Sequence, residues 1–181
     1  MRILHQAARE LYEYLVFYVA LAYFAISGLL YTVLSAILYP LLPRRFGKRL
    51  GRISIGLLFR GYLAMLRASG VMRLDLGALD ALRAERSLIV APNHPSLLDA
   101  VLVMSRLPDI ACIMKAEIWD SPVLGGGARL AGYIRNDSPA DMVRLATGEL
   151  VAGQRLLVFP EGTRTRAGTL YEFRGGFALI A

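Results

Sequence analysis

From Tyr14 to Pro43 the chain carries thirty residues in a row without a charge. Roughly 20 apolar residues in a helix cross the hydrocarbon core of a bilayer, so a run this long must find lipid or a large apolar partner. Ser27-Gly28 divides it into two shorter halves. The segment is therefore expected as one tilted span or as a helical hairpin within one leaflet. Ala20-Leu21-Ala22 has the look of a signal cleavage site. The apolar run continues for another twenty residues, however, and Glu10 and Glu13 interrupt the basic leader such a signal needs. A retained membrane anchor over residues 1–43 is the expectation.

The charge pattern sharpens this. The net charge is +7, yet between Tyr14 and Leu74 there is no acid and there are eight basic residues: Arg44, Arg45, Lys48, Arg49, Arg52, Arg60, Arg67 and Arg73. The remaining 13 basic residues face 14 acidic ones. The basicity thus belongs to one segment beside the apolar run, which fits a contact with anionic lipid. No nucleic-acid motif is present, and the apolar run would be a liability in a soluble DNA binder. The cluster at Arg44 to Arg52 places the remainder of the chain on the cytoplasmic side. Residues 44–74 read as a basic amphipathic helix, with Arg45, Arg49, Arg52, Arg60 and Arg67 on one face. Such a helix lies on a membrane surface or packs on a core with its charges in water.

From Ser87 the pattern changes. Short apolar runs ("SLIVA", "IACIM", "GYIR", "RLLVF") alternate with helical stretches ("SLLDAVLVMSRL", "PVLGGGARLA", "ADMVRLATGELVAG"). That alternation predicts an α/β fold over residues 75–181, a largely parallel mixed sheet flanked by helices. The single cysteine, Cys112, lies inside an apolar run, so no internal disulfide or cysteine metal site can form.

Three stretches carry polar chemistry. In "APNHPSLLDA" a strand ends and a helix opens near Pro95, leaving His94 at its lip and Asp99 one turn in. Helical side chains lean towards the N-terminus, so Asp99 can reach the His94 ring, fix its tautomer and make the other nitrogen a base for a hydroxyl. The same residues also read as a cap histidine with Asp99 complementing the helix dipole. In "FPEGTRTRAGTLYEFRGG", a glycine-containing turn with Thr163, Arg164, Arg166 and later Arg174 makes a phosphate or carboxylate site; equally, Glu161 and Arg164 make a local ion pair. It is not a Walker loop. Between the two, Lys115 ends a strand, Gly125 to Gly127 form a flexible approach, and Arg135 follows "GYI".

In order and spacing, "NHPSLLD", Lys115 through "GYIR", "FPEGTRT" and "FRGG" resemble the glycerolipid acyltransferases, the 1-acyl-sn-glycerol-3-phosphate acyltransferase family, over Ser87 to Ala181. The resemblance implies acyl transfer from acyl-CoA or acyl-carrier protein to the free hydroxyl of a lysophospholipid. It makes His94 the general base and Asp99 its orienting partner. Asn93 shapes the site, Glu161, Gly162, Thr163 and Arg164 hold the acceptor's phosphate side, and Arg135 adds a second clamp. No metal or redox cofactor is implied. Two departures stand out. Gly126-Gly127 replace a bulkier pair, and the family continues into a further strand where this chain stops at Ala181, so a C-terminally truncated domain is expected. The rivals are another lipid acceptor, a non-catalytic membrane lipid-binding protein, and an esterase using water. For the last, the common Gly-x-Ser-x-Gly elbow is missing.

Overall fold

The computed structural model describes residues 1–165, 171–173, 175 and 178–180. It opens with two long helices, α1 (Arg2–Leu41) and α2 (Arg44–Ala68). A short helix α3 (Gly77–Ala81) and a 3-10 turn (Leu82–Ala84) lead into β1 (Ile89–Val90) and α4 (Leu98–Arg106). Then come β2 (Ile110–Lys115), α5 (Ala116–Trp119), α6 (Gly125–Leu130), β3 (Ile134–Asn136), α7 (Pro139–Val151) and β4 (Arg155–Leu157).

The strands lie in the order β1-β4-β2-β3, and among the described residues every pair is parallel. The largely parallel sheet flanked by helices that the sequence predicts is the one that forms. β2 shows why it is buried on both faces. Ile110 and Cys112 join one core with Leu157, Val103, Met104 and Tyr133. Ala111 and Ile113 join the opposite core with Leu156, Val158, Met142 and Ala146. The two-residue period sends successive side chains to opposite faces. α7 covers the second face. Ser138 caps it by accepting from Asp141 N–H, Pro139 stands in its first turn, and Gly153 (φ 78°) ends it in the left-handed conformation.

α1 is a single helix that passes through Ser27-Gly28 without a break. The hairpin that forms is not made by folding the apolar run in two. It joins α1 to α2 through Leu42 and Pro43, with Pro43 as the α2 N-cap. At Gly28 α1 packs against Val123 and Leu124, where a Cβ would make ordinary contacts at 3.4 and 3.6 Å. Much of α1 exposes apolar side chains, among them Leu15, Phe17, Ile26, Leu30 and Val33. Its uncharged stretch is long and apolar enough to cross a membrane.

α2 corrects the expectation of a solvated basic face. Arg44, Arg45, Arg49 and Arg67 are exposed, but Arg52 is buried at 3% exposure. Arg52 donates to Ala131 O and to Glu149 at 2.9 Å each, and to Gln154 at 3.4 Å. Lys48 meets the same Glu149 at 2.7 Å, and Arg60 donates to Ser105 O at 2.7 Å. Close approach needs small residues here: a Cβ at Gly51 would sit 2.6 Å from Ala131 N, and one at Gly56 2.8 Å from Pro108. α2 is therefore keyed into the α/β unit by glycines and buried arginine while part of its basic face stays outside.

Candidate active site

In a parallel sheet the loops after the strands gather at one edge. Here that edge collects the His94 loop after β1, Lys115 at the end of β2, Asn136 at the end of β3, and the Phe159–Thr165 turn after β4.

The helix after β1 opens at Leu98, three residues later than expected. Side-chain bonds compete with the first helical turn: Asp99 Oδ2 accepts from Ser96 N–H at 2.7 Å, and Ser96 Oγ accepts from Leu98 N–H at 3.0 Å. The same Asp99 oxygen lies 2.9 Å from His94 Nδ1. Both side chains are only 16% exposed. Phe159 stacks on the imidazole with centroids 3.9 Å apart and planes at 21°. Asp99 thereby fixes which ring nitrogen carries hydrogen, and Phe159 fixes the plane of the ring.

Glu161 was expected on the substrate's phosphate, and the structure gives it another task. It is 3% exposed. Its Oε1 accepts from His94 N–H at 2.9 Å; its Oε2 accepts from the Thr165 hydroxyl and from Tyr171 N–H at 3.2 Å. Thr165 N–H in turn donates to His94 O at 2.8 Å. The Thr165 hydroxyl holds the Glu161 carboxyl below the usual carboxylate range, against burial, with His94 N–H and Tyr171 N–H adding to the effect. A buried carboxylate with three donors binds the two motif loops to each other and has no affinity for a phosphate. Gly162 supports the turn: its φ is 67°, and its N–H donates to Phe159 O at 2.9 Å.

A cavity of about 770 Å³ opens beside His94. Gly162, Thr163 and Arg164 line it, as do Lys115 and Asn136. Behind them the wall is mostly apolar and runs past Met114 and Cys112 to Met104 and Tyr133. Its other side is built from Tyr23, Phe24, Gly28 and Tyr31 of α1 and from Ile55, Phe59 and Tyr62 of α2. Burial pushes the Cys112 thiol up to about 12, so it is a neutral wall group and no nucleophile. Among the described residues no group of three or more His, Cys, Asp and Glu could hold a metal ion.

The expected site residues therefore separate. His94, Gly162, Thr163 and Arg164 line the cavity, and Asp99 supports His94. Asn93 is exposed and is not part of the wall. Arg135 is corrected as a clamp: it is held by Asp120 at 3.1 Å and Asp137 at 2.9 Å, away from the wall. Arg166 and Arg174 lie outside the described residues. Sequence reasoning gave Lys115 and Phe159 no role of their own. Their signal was available, since each ends or follows a strand at the edge that carries His94.

The acyltransferase family model matches residues 73–181. The chain belongs to the acyltransferase family. It is 31% identical over 154 residues to a 1-acyl-sn-glycerol-3-phosphate acyltransferase of Limnanthes douglasii, covering 79% of this chain and 50% of that one. It is 36% identical over 99 residues to the mouse 1-acyl-sn-glycerol-3-phosphate acyltransferase alpha, covering 50% of this chain and 35% of the relative. This acyltransferase spans about half the length, or less, of these curated relatives. Its fold resembles the crystal structure of the 1-acyl-sn-glycerophosphate acyltransferase PlsC from Thermotoga maritima, with a TM-score of 0.64 at 21% identity. That match covers 99% of this chain and 70% of the other. It extends through α1 and α2, which precede the family-model match.

Proposed function

We propose that this acyltransferase moves a fatty acyl group from a thioester, acyl-CoA or acyl-carrier protein, to the free hydroxyl of 1-acyl-sn-glycerol 3-phosphate, giving phosphatidic acid. One observation carries the reading: a His94–Asp99 pair at 2.9 Å stands at the wall of an apolar cavity that also presents Arg164 and Lys115. Nδ1 is taken by Asp99, which leaves Nε2 for the substrate hydroxyl. His94 takes the hydroxyl proton as its oxygen attacks the thioester carbonyl. The tetrahedral intermediate collapses with loss of the C–S bond, and the imidazolium returns the proton to the departing thiolate. Asp99 stabilises the imidazolium and holds the tautomer. Arg164 offers a guanidinium fork to the acceptor phosphate and Lys115 a second positive charge. The hydrocarbon chains lie in the apolar part of the cavity. These steps use no metal or redox cofactor.

The named relatives support the acceptor, and the apolar exposed face of α1 supports a membrane-bound enzyme whose substrates are themselves amphiphiles. The exposed cations of α2 would then meet anionic headgroups on the cytoplasmic side. The test is incubation of the purified enzyme in lipid with a panel of lysophospholipids and both donor types, followed by mass spectrometry. Phosphatidic acid formed from 1-acyl-sn-glycerol 3-phosphate is the expected product. Acylation confined to other lysophospholipids would overturn the acceptor, and thioester hydrolysis without transfer would make the enzyme an esterase.

A further inference from the structure

Three tyrosine hydroxyls on α1 donate to main-chain carbonyls at α2. Tyr12 donates to Ser69 O at 2.8 Å, Tyr23 to Leu58 O at 3.1 Å, and Tyr31 to Gly51 O at 3.0 Å. Along α1 the donors advance by 11 and 8 residues; along α2 the acceptors retreat by 11 and 7. With 3.6 residues per turn these steps are about three turns and about two. The donors therefore share one face of α1, and the acceptors share the facing side of an antiparallel partner.

Ring packing fills the rest of this interface, beside the close approach of the Tyr23 hydroxyl to Gly61. Phe24 stacks on Phe59 at 6.1 Å and meets Tyr62 edge-on at 5.7 Å. Such ring contacts tolerate sliding, whereas a hydrogen bond is directional. A helical carbonyl already bonded within its own helix keeps a second lone pair for a hydroxyl. In apolar surroundings the hydroxyl has no water to turn to, so losing the bond leaves it unsatisfied.

Two of the three, Tyr23 and Tyr31, also line the cavity; Tyr12 does not. The Tyr31 ring sits where only a glycine can face it, since a Cβ at Gly127 would lie 2.6 Å from the ring. Rotation or sliding of α1 would carry both rings out of the wall.

We propose that Tyr23 and Tyr31 are positioning residues whose hydroxyls lock the register of α1 on α2, so that α1 stays fixed as one wall of the cavity beside His94. Tyr12 fastens the same hairpin outside the cavity. The catalytic consequence rests on the acyl-transfer reading above; the lock itself does not. Each such side-chain bond within a membrane protein is worth roughly a factor of three in the equilibrium. Loss of two should lower the ratio of locked to unlocked wall by about ten-fold, and the acyl donor's KM rises as the locked fraction falls, by at most about that factor.

The experiment uses the full chain in phospholipid nanodiscs. Spin labels are placed at exposed Leu21 on α1 and exposed Val151 on α7; the native thiol, Cys112, is buried and escapes labelling. Wild type and Tyr12→Phe should give one narrow distance peak by pulsed electron resonance. Tyr23→Phe/Tyr31→Phe should give a broad or split distribution. In that double variant the donor KM should rise, by at most about ten-fold, while kcat changes proportionately less. A narrow, unshifted peak in the double variant would overturn the lock. A broadened peak with an unchanged donor KM would overturn its role in the reaction. If wild type transferred no acyl group, the function above would fail while the distance measurement still decided the lock.

Discussion

Replacing Arg52 by alanine removes a buried guanidinium that joins α2 to the α/β unit. Three bonds disappear: to Ala131 O at 2.9 Å, to Glu149 at 2.9 Å and to Gln154 at 3.4 Å. Removing one partner of a buried ion pair costs about 3–5 kcal/mol. The lower end applies, because Lys48 stays on Glu149 at 2.7 Å and is partly exposed to water. In a chain of this size each kcal/mol moves Tm by roughly 2–4 °C, so a loss near 3 kcal/mol lowers Tm by about 6–12 °C. Near-ultraviolet circular dichroism of the detergent-solubilised chain reads this out. The pH dependence gives a second handle. Burial opposes ionisation of Glu149, but Lys48 and Arg52 outweigh it and hold its carboxyl below the ordinary glutamate range. A depressed folded pKa gives stability that is fully present above the unfolded value of about 4.3 and is lost as pH falls through the folded value. The gap between wild type and Arg52→Ala should therefore narrow below about pH 4. A Tm drop under about 2 °C, or a gap that widens in acid, would refute the keyed interface.

Asp99→Asn should lower kcat by on the order of a hundred- to ten-thousand-fold with folding intact, because an amide can present its NH2 to the ring and leave His94 in the wrong tautomer. A variant with normal turnover would reduce Asp99 to a helix-cap residue. Arg164→Ala should raise the acceptor's KM roughly ten- to hundred-fold, and Arg164→Lys should also be impaired because lysine lacks the planar fork. If only the donor's KM moved, the guanidinium would belong on the thioester side. The full chain should stay with anionic vesicles through a high-salt wash and leave only with detergent, since salt screens the α2 cations but not the apolar face of α1. Release by salt alone would mean that α1 buries that face in protein.

Periodicity made the sheet and its helices legible. β2 was expected over residues 110–114 and runs Ile110–Lys115; α7 was expected over 140–153 and runs Pro139–Val151. These elements obey local rules: alternating burial along a strand, and a Ser-Pro start with a glycine finish on a helix. The His94–Asp99 contact was also within reach, because five residues separate its partners. What the chain order hides is long-range pairing. Arg52 has the helical phase of a surface cation, and its partner Glu149 is 97 residues away. Arg135 sits among motif residues but satisfies Asp120 and Asp137. Glu161 falls in a phosphate-binding type of turn, and only the folded loops reveal that its oxygens are taken by three donors. The composition of the apolar run marked a helix long and apolar enough to cross a membrane, but not that one side of α1 would complete the cavity.

The central claim is that His94 is the base for acyl transfer to a lysophospholipid hydroxyl, and the most direct measurement compares wild type with His94→Ala. Both are purified full-length, checked for the same Tm and membrane attachment, and given 1-acyl-sn-glycerol 3-phosphate with an acyl thioester. Phosphatidic acid is followed by mass spectrometry. The account predicts product from wild type and a rate lower by roughly a hundred-fold or more in the variant, since the other histidine, His5, lies at the far end of α1. A folded His94→Ala protein that made phosphatidic acid at the wild-type rate would contradict it.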